Sequence, residues 1–187
     1  MSARPGIAPR SFAHDRQLVG MALFIVSESV FFLGVTIAYV VLREQGLATA
    51  RAQLDVGRTA LFSVLLFASS GTVGLAAARR SRRWLALTVL LGTGFLAGQS
   101  LEYARLLGAG LGPGSELFGT TFFTLTGLHA IHVLVGLVLL VTLFGASTAR
   151  PQRIGRSAWE AIAMYWHFVD AVWVVVFSVV YLGTLIG

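Results

Sequence analysis

Five long runs of apolar residues constrain the fold of this chain more than any other feature of its sequence. An α-helix rises about 1.5 Å per residue, so a run of roughly 20 residues crosses a hydrocarbon layer about 30 Å thick. The runs do not alternate apolar with polar residues, and a chain in lipid must satisfy its own backbone hydrogen bonds, which favours helices over strands. The predicted spans run from about Leu18 to Leu42, from Thr59 to Ala78, from Trp84 to Leu107, from Gly119 to Ala146 and from Ala161 to Ile186.

The composition supports a membrane protein with a single domain. The chain has 187 residues, of which 56% are hydrophobic and only 12% are charged. That charged share is about half of the share in soluble domains, which leaves too little polar surface to face water. We therefore predict an all-α polytopic membrane protein, with a five-helix bundle over residues 18–187 and a tail without fixed structure over residues 1–17. The absence of cysteine excludes disulfides, thiolate metal sites and cysteine nucleophiles.

The arginines indicate how the bundle is oriented. All 14 basic residues are arginines, and ten of them lie in the tail, between the second and third spans, and between the fourth and fifth spans. The other four lie in or beside the connections on the opposite side of the membrane. Because basic residues accumulate on the cytoplasmic side, we expect the N-terminus in the cytoplasm and the C-terminus outside. This distribution accounts for the net charge of +6, so we expect no nucleic-acid partner.

Ionisable residues inside the spans are the main functional signal. Each costs roughly 2.5 to 3.5 kcal/mol at the centre of a membrane helix, so such residues are retained for a structural or chemical reason. His129 and His132 share one helix face, as do His167 and Asp170, because residues three apart are neighbours on a helix. A carboxylate from one helix could hydrogen-bond an imidazole from another and hold both helices in register. The residues concerned are Glu28, Glu102, His129, His132, His167 and Asp170.

Three interpretations remain open from these residues alone. The three imidazoles suit zinc, copper or iron, but a carboxylate di-metal bundle needs a repeated Glu-x-x-His motif, which the sequence lacks. Glu28, Glu102 and Asp170 instead suggest a proton pathway, which an autonomous proton or ion transporter would use. Transporters commonly contain internal repeats, and we find none in the sequence. In the third interpretation these groups pair helices or contact lipid, and Trp166 and Trp173 line a packed seam.

Four segments resemble motifs of one known family. Residues 165–173 (YWHFVDAVW) closely resemble the last-helix signature of subunit III of cytochrome c oxidase, and residues 121–133 (TFFTLTGLHAIHV) resemble the preceding helix of that family. Residues 21–32 (MALFIVSESVFF) are similar to the helix that carries its Ser-Glu-x-x-Phe-Phe motif, and residues 99–103 (QSLEY) to a shorter element. The four motifs occur in the family's order and together extend over nearly the whole chain.

The resemblance implies both a fold and a role. It implies the short five-helix bacterial form of subunit III, a non-catalytic part of a haem-copper oxidase in the cell membrane and the aerobic respiratory chain. Such a subunit packs on the catalytic subunit I, with subunit II in the same complex, near the entrance of a proton-uptake channel, and it carries structural phospholipids. It holds no haem, copper or other cofactor, because these belong to partner subunits. The resemblance implies structural, lipid-related or proton-uptake roles for Glu28, Glu102, His129, His132, Trp166, His167 and Asp170.

Two departures from the family pattern bear on these expectations. The second span ends in residues 75–78 (LAAA), where family members often carry polar residues. A five-helix form also lacks two helices that complete the family's lipid cleft, so the cleft is incomplete unless other chains complete it. The same form resembles the third subunit of quinol oxidases and a small protein associated with nitric oxide reductases, and no residue of this sequence separates these alternatives.

Overall fold

The computed structural model describes residues 10–43, 47–150, 152 and 154–186, and the regular secondary structure within these ranges is helical. Five of the helices are long and apolar enough to span a membrane, which confirms the predicted all-α polytopic fold. In chain order the elements are α1 (Arg10–Leu42), α2 (Leu47–Gln53), α3 (Val56–Arg79), α4 (Arg82–Gly108), α5 (Leu117–Ala149), α6 (Arg156–Phe177), a π-helical segment (Ser178–Leu182) and α7 (Gly183–Ile186).

The helix ends differ from the predicted spans because a helix can continue through polar residues beyond its apolar run. α1 begins at Arg10 rather than at about Leu18, so it extends through residues 10–17, for which the sequence predicts no fixed structure. Residues 1–9 of that predicted tail lie outside the described ranges. α2 is also unpredicted, because its seven residues are too few to produce a hydropathy signal.

α3 and α4 form a tight hairpin, as the short spacing between their spans predicts. α3 begins behind Asp55, whose carboxylate accepts a hydrogen bond of 2.9 Å from the backbone N–H of Arg58. The helix ends at Arg79, and the next residue, Arg80, has a left-handed φ of 48° that turns the chain back towards the bundle. The two helices then approach closely, and a Cβ added at Gly98 of α4 would collide with the ring of Phe62 on α3.

α5 and α6 lie in the middle of the bundle. α6 packs against α1, α3 and α5, whereas α5 packs against α1, α4 and α6. The outward face of α6 therefore lies between α1 and α3, and the outward face of α5 lies between α1 and α4, on the opposite side of the bundle. Exposed apolar side chains such as Val138 of α5, at 58% exposure, suit contact with lipid.

Candidate functional site

Glu28 and His132 join α1 to α5 within the membrane spans. Oε2 of Glu28 lies 3.2 Å from Nε2 of His132, and the side chains are 22% and 16% exposed, respectively. Nδ1 of His132 lies 2.8 Å from the backbone carbonyl oxygen of Leu128, one turn earlier on α5. The ring of Phe32 meets the imidazole edge to face, with ring centroids 4.8 Å apart. These contacts fix the imidazole in one orientation against α1.

The geometry of this pair requires a shared proton. The Leu128 carbonyl is only an acceptor, so Nδ1 of His132 must carry a hydrogen and donate it. Nε2 then faces a carboxyl oxygen of Glu28, and a hydrogen bond between them needs a second proton, held by either the imidazole or the carboxyl group. In both cases the pair as a whole is neutral, which lowers the cost of placing two ionisable groups inside a membrane.

Ser70 of α3 bridges His167 and Asp170 of α6. Its hydroxyl donates a hydrogen bond to Oδ2 of Asp170 and lies 3.0 Å from Nδ1 of His167. Because serine has a single hydroxyl proton, the contact with His167 is a hydrogen bond in this arrangement only when Nδ1 carries a hydrogen. Asp170 is buried, whereas His167 is exposed on the outside of the bundle. The two residues therefore share a helix face and meet through Ser70 instead of directly.

His129 occupies an aromatic part of the core, away from the carboxylates. Its ring is 0% exposed and stacks on Trp173 with centroids 4.8 Å apart, while the ring of Phe95 meets it edge to face at 6.0 Å. Within the described part of the chain, neither ring nitrogen has a hydrogen-bond partner. His129 and His132 are thus one turn apart on α5, yet they face different helices.

Glu102 lies near the C-terminal end of α4 and contacts an arginine rather than a histidine. The residue is 2% exposed, and its Oε1 lies 2.7 Å from a guanidinium nitrogen of Arg105 on the same helix. Arg105 also donates to the backbone carbonyl of Gln53 at the end of α2. Beside them, the Tyr103 hydroxyl donates to Thr126 of α5 at 2.8 Å. This cluster connects α2, α4 and α5 at one end of the bundle.

Trp166 is fully buried between two glycines of neighbouring helices. A Cβ added at Gly92 of α4 would lie 2.7 Å from its ring, and one added at Gly136 of α5 would lie 2.8 Å from it. Only glycine leaves room for the indole at both positions. Its N–H donates to Ser69 of α3 at 2.8 Å, so a single side chain of α6 contacts three other helices.

The serines of α3 are the polar residues that sequence reasoning missed as a set. Ser69 accepts from Trp166, and Ser63 accepts from the indole of Trp173 at 2.8 Å. Ser70 adds the contacts with α6 described above. The signal that could have found them is spacing. Ser69 and Ser70 lie six and seven residues after Ser63, and Trp173 lies seven residues after Trp166. Both intervals correspond to about two helical turns, which aligns one donor with one acceptor along two adjacent helices.

The ionisable residues of the site connect neighbouring helices. His129, His132 and His167 have separate surroundings, and the described residues contain no group of three His, Asp or Glu close enough to hold a metal ion. Glu28 faces His132 on one side of α6, whereas Asp170 faces Ser70 on the other. Each of these contacts lies between two spanning helices, so each fixes the position of one helix relative to the next.

Comparison with known proteins shows a consistent similarity. The sequence profile of a family described as Cytochrome c oxidase subunit III matches residues 59–184. Cytochrome c oxidase subunit 3 of Synechocystis sp. is 36% identical over 95% of this chain and 81% of that protein. The protein of the same name from Corynebacterium diphtheriae is 36% identical over 87% of this chain and 86% of its own. That from Thermostichus vulcanus is 30% identical over 91% and 89%, respectively.

Proposed function

The chain belongs to the cytochrome c oxidase subunit III family, and from this we propose that it is the non-catalytic third subunit of a haem-copper terminal oxidase. It packs on the catalytic subunit I in a bacterial cell membrane, alongside subunit II, and stabilises the complex. It sustains proton uptake while the complex reduces oxygen. Haem and copper reside in the partner subunits, so this chain takes part in the enzyme without carrying out its chemistry.

The observation that carries this proposal is that the carboxylates within the spans contact side chains of this same chain. Glu28 contacts His132, Asp170 accepts from Ser70, and Glu102 pairs with Arg105. Each of these three carboxylates has a partner on the same chain, on a neighbouring helix or on the next turn of its own helix, although Oδ1 of Asp170 has no hydrogen-bond partner among the described residues. Such pairing suits a subunit whose effect is exerted on a partner.

The Glu28 and His132 pair supports a role in proton uptake. It holds one shared proton, and both side chains remain partly exposed at the edge of the bundle, where α1 meets α5. Because both side chains are partly exposed, a partner subunit can reach this pair, whereas the fully buried His129 is enclosed by side chains of this chain. We therefore place the proton-related part of the function at this pair.

A groove between α1 and α6 supports phospholipid binding. Its volume is about 320 Å³, and it is lined mainly by apolar side chains, including Phe32, Leu33, Phe168 and Val172. A lipid acyl chain matches this apolar lining. Native mass spectrometry of the purified complex tests the assignment, which requires lipid-mass additions to this chain that survive mild detergent exchange.

The test of the main proposal is purification of the tagged chain from its native membrane under mild detergent. We expect a large haem-bearing subunit to co-purify, with oxygen-reducing activity, while the tagged chain produced alone shows no haem absorption. A stable, isolated chain with its own haem spectrum would contradict the proposal.

The same preparation separates the alternatives. A quinol oxidase would oxidise quinol and not cytochrome c, and a nitric oxide reductase would reduce nitric oxide and not oxygen. An autonomous transporter would instead produce proton or ion flux in liposomes that contain only this chain. We expect no flux above that of liposomes without protein.

A further inference from the structure

A pocket lined by two arginines lies among the helix ends on the arginine-rich side of the bundle. Its volume is about 290 Å³, and it is lined by Arg80, Arg82, Ser147, Ile154 and Trp159. The first two residues flank the turn between α3 and α4, whereas the other three lie at the end of α5, before α6 and in the first turn of α6. This arginine pocket therefore lies between two connections that are far apart in the sequence.

The two guanidinium groups of the arginine pocket have no anionic partner within the described part of the chain. The arginines that form ion pairs there are Arg58, Arg105 and Arg156, which lie elsewhere. Two cations that line one pocket repel each other unless an anion lies between them. Guanidinium groups bind phosphate through paired N–H groups, so a phosphate oxyanion matches both the charge and the donors of this pocket.

The indole of Trp159 adds a third donor to the arginine pocket. Trp159 is only 4% exposed, yet its N–H has no acceptor among the described residues. The indoles of Trp166 and Trp173, by contrast, each donate to a serine, as buried indoles normally do. The Trp159 nitrogen is not among the fully enclosed atoms that lack a partner, so its N–H keeps some exposed surface and is available to a ligand in the pocket.

The backbone of Arg80 indicates that its side chain is retained for a reason other than folding. Its φ of 48° is positive, and among the described residues no other side-chain-bearing residue has a positive φ. Glycine is the usual residue just after a helix in this conformation, because it has no Cβ to cause strain. An arginine at this position costs stability and supplies a guanidinium group to the pocket, which is the pattern of a functional residue.

We infer that the arginine pocket binds a phosphate group. Arg80 and Arg82 balance the charge of the phosphate, and the indole N–H of Trp159 donates to one of its oxygens. The phosphate belongs either to an anionic phospholipid, whose headgroup lies at the depth of the helix ends, or to a soluble phosphate. The site is separate from the apolar groove between α1 and α6, and it requires neither a partner subunit nor the proposed function.

Three variants and one matched control test the site in the full-length chain, purified from its native membrane with any partners. Arg82→Gln removes a guanidinium group from an exposed position, and Trp159→Phe keeps an aromatic ring but removes the N–H. Arg80→Gly removes the other guanidinium group and relieves the backbone strain. Arg83→Gln is the control, because Arg83 carries the same charge in the same connection but lines a separate pocket of about 580 Å³.

The measurement is equilibrium binding of two radiolabelled probes, short-chain phosphatidylglycerol and inorganic phosphate, to the immobilised chain after detergent exchange removes native lipid. We expect Arg82→Gln and Trp159→Phe to raise the dissociation constant roughly tenfold or more, the effect of losing a hydrogen bond to a charged group. Arg83→Gln binds as the wild-type chain does. Arg80→Gly binds as weakly as Arg82→Gln, yet without ligand it melts at a higher temperature than the wild-type chain.

The two probes also identify the source of the phosphate. Binding of phosphatidylglycerol without inorganic phosphate assigns the pocket to a lipid headgroup, and binding of inorganic phosphate assigns it to a soluble phosphate. Binding of neither probe would overturn the inference. Equal losses from Arg82→Gln and Arg83→Gln would also overturn it, because they would indicate a diffuse effect of charge. If Trp159→Phe lowers the melting temperature, Arg82→Gln decides, since its side chain is exposed.

Discussion

At the scale of single residues, Asp170 is the acid whose loss most directly tests helix pairing. Asp170→Ala removes a buried carboxyl group and the hydrogen bond that it accepts from the half-buried Ser70 hydroxyl. We expect the free energy of unfolding to fall by about 1–3 kcal/mol, the contribution of a hydrogen bond to a carboxyl group between two helices. Unfolding of the purified subunit in detergent, followed by circular dichroism, measures the change. Ser178→Ala is the control, because that hydroxyl is exposed and bonds only to a carbonyl of its own helix.

Glu28 provides a second test at this scale, because a substitution there can remove the ionisable group while the size of the side chain is kept. Glu28→Gln keeps the side-chain volume, and its amide can donate to Nε2 of His132, so we expect a stability change below about 1 kcal/mol. The variant loses the shared proton, so the complex should inactivate sooner during sustained turnover although its initial rate is normal. Oxygen consumption followed to exhaustion measures this lifetime, with Glu116→Gln, at an exposed helix end, as the control. An unchanged lifetime would assign Glu28 a structural role alone.

The ionisable residues of the site could be identified from the sequence, but the side chains that they contact could not. The cost of ionisable groups in hydrocarbon marks Glu28, His132 and Asp170 without any structure. Helical spacing places His129 and His132 on one face, yet it does not say which neighbouring helix each ring meets. That depends on the rotation and tilt of α5 within the bundle, which are set by packing among distant parts of the chain. For this reason Ser70 emerged as the bridging residue only from the structure.

At the scale of elements, the packing of Trp166 between α4 and α5 leads to a prediction about Gly136. A Cβ at Gly136 would lie 2.8 Å from the ring of Trp166, which is held by its bond to Ser69. We expect Gly136→Ala to destabilise the subunit by about 1–3 kcal/mol through overpacking. Gly145→Ala, on the same helix with nothing within 4 Å, should be neutral or stabilising by up to about 1 kcal/mol, because alanine favours helix. Equal melting temperatures for the two variants would contradict this account of the packing.

The spanning helices were predictable because length and apolarity determine them. The first four predicted spans each correspond to one observed helix, and the fifth corresponds to α6 continued by the π-helical segment and α7. The turn at Arg80 lies where the short connection requires it. The π-helical segment at Ser178–Leu182 was not predictable, because no proline or glycine lies within it to mark a change of helix geometry. Its wider turn places Tyr181 in the core, stacked on Phe177 with ring centroids 5.4 Å apart. Such a deviation depends on tertiary packing rather than on local preference.

At the scale of the whole molecule, the two outward faces of the central helices differ in character. The face of α5 is apolar at membrane depth, with Ile131, Leu134 and Val138 exposed, as contact with lipid requires. The face of α6 carries the exposed His167, which contacts Ser70 of α3. The two outward faces therefore suit different surroundings, apolar lipid beside α5 and a hydrogen-bonding environment beside His167.

Orientation across the membrane follows from the arginines and can be tested on the same scale. The positive-inside rule predicts that the turn at Ser81 faces the cytoplasm, and that the loop at Ala109 faces outwards. The chain has no cysteine, so Ser81→Cys and Ala109→Cys each introduce a single thiol without a background signal. In intact cells a membrane-impermeant maleimide should label Ala109→Cys at once, and it should label Ser81→Cys only after the membrane is opened. Labelling in the reverse order would invert the predicted topology, and it would place the ten arginines of the tail and of the two arginine-rich connections on the outside.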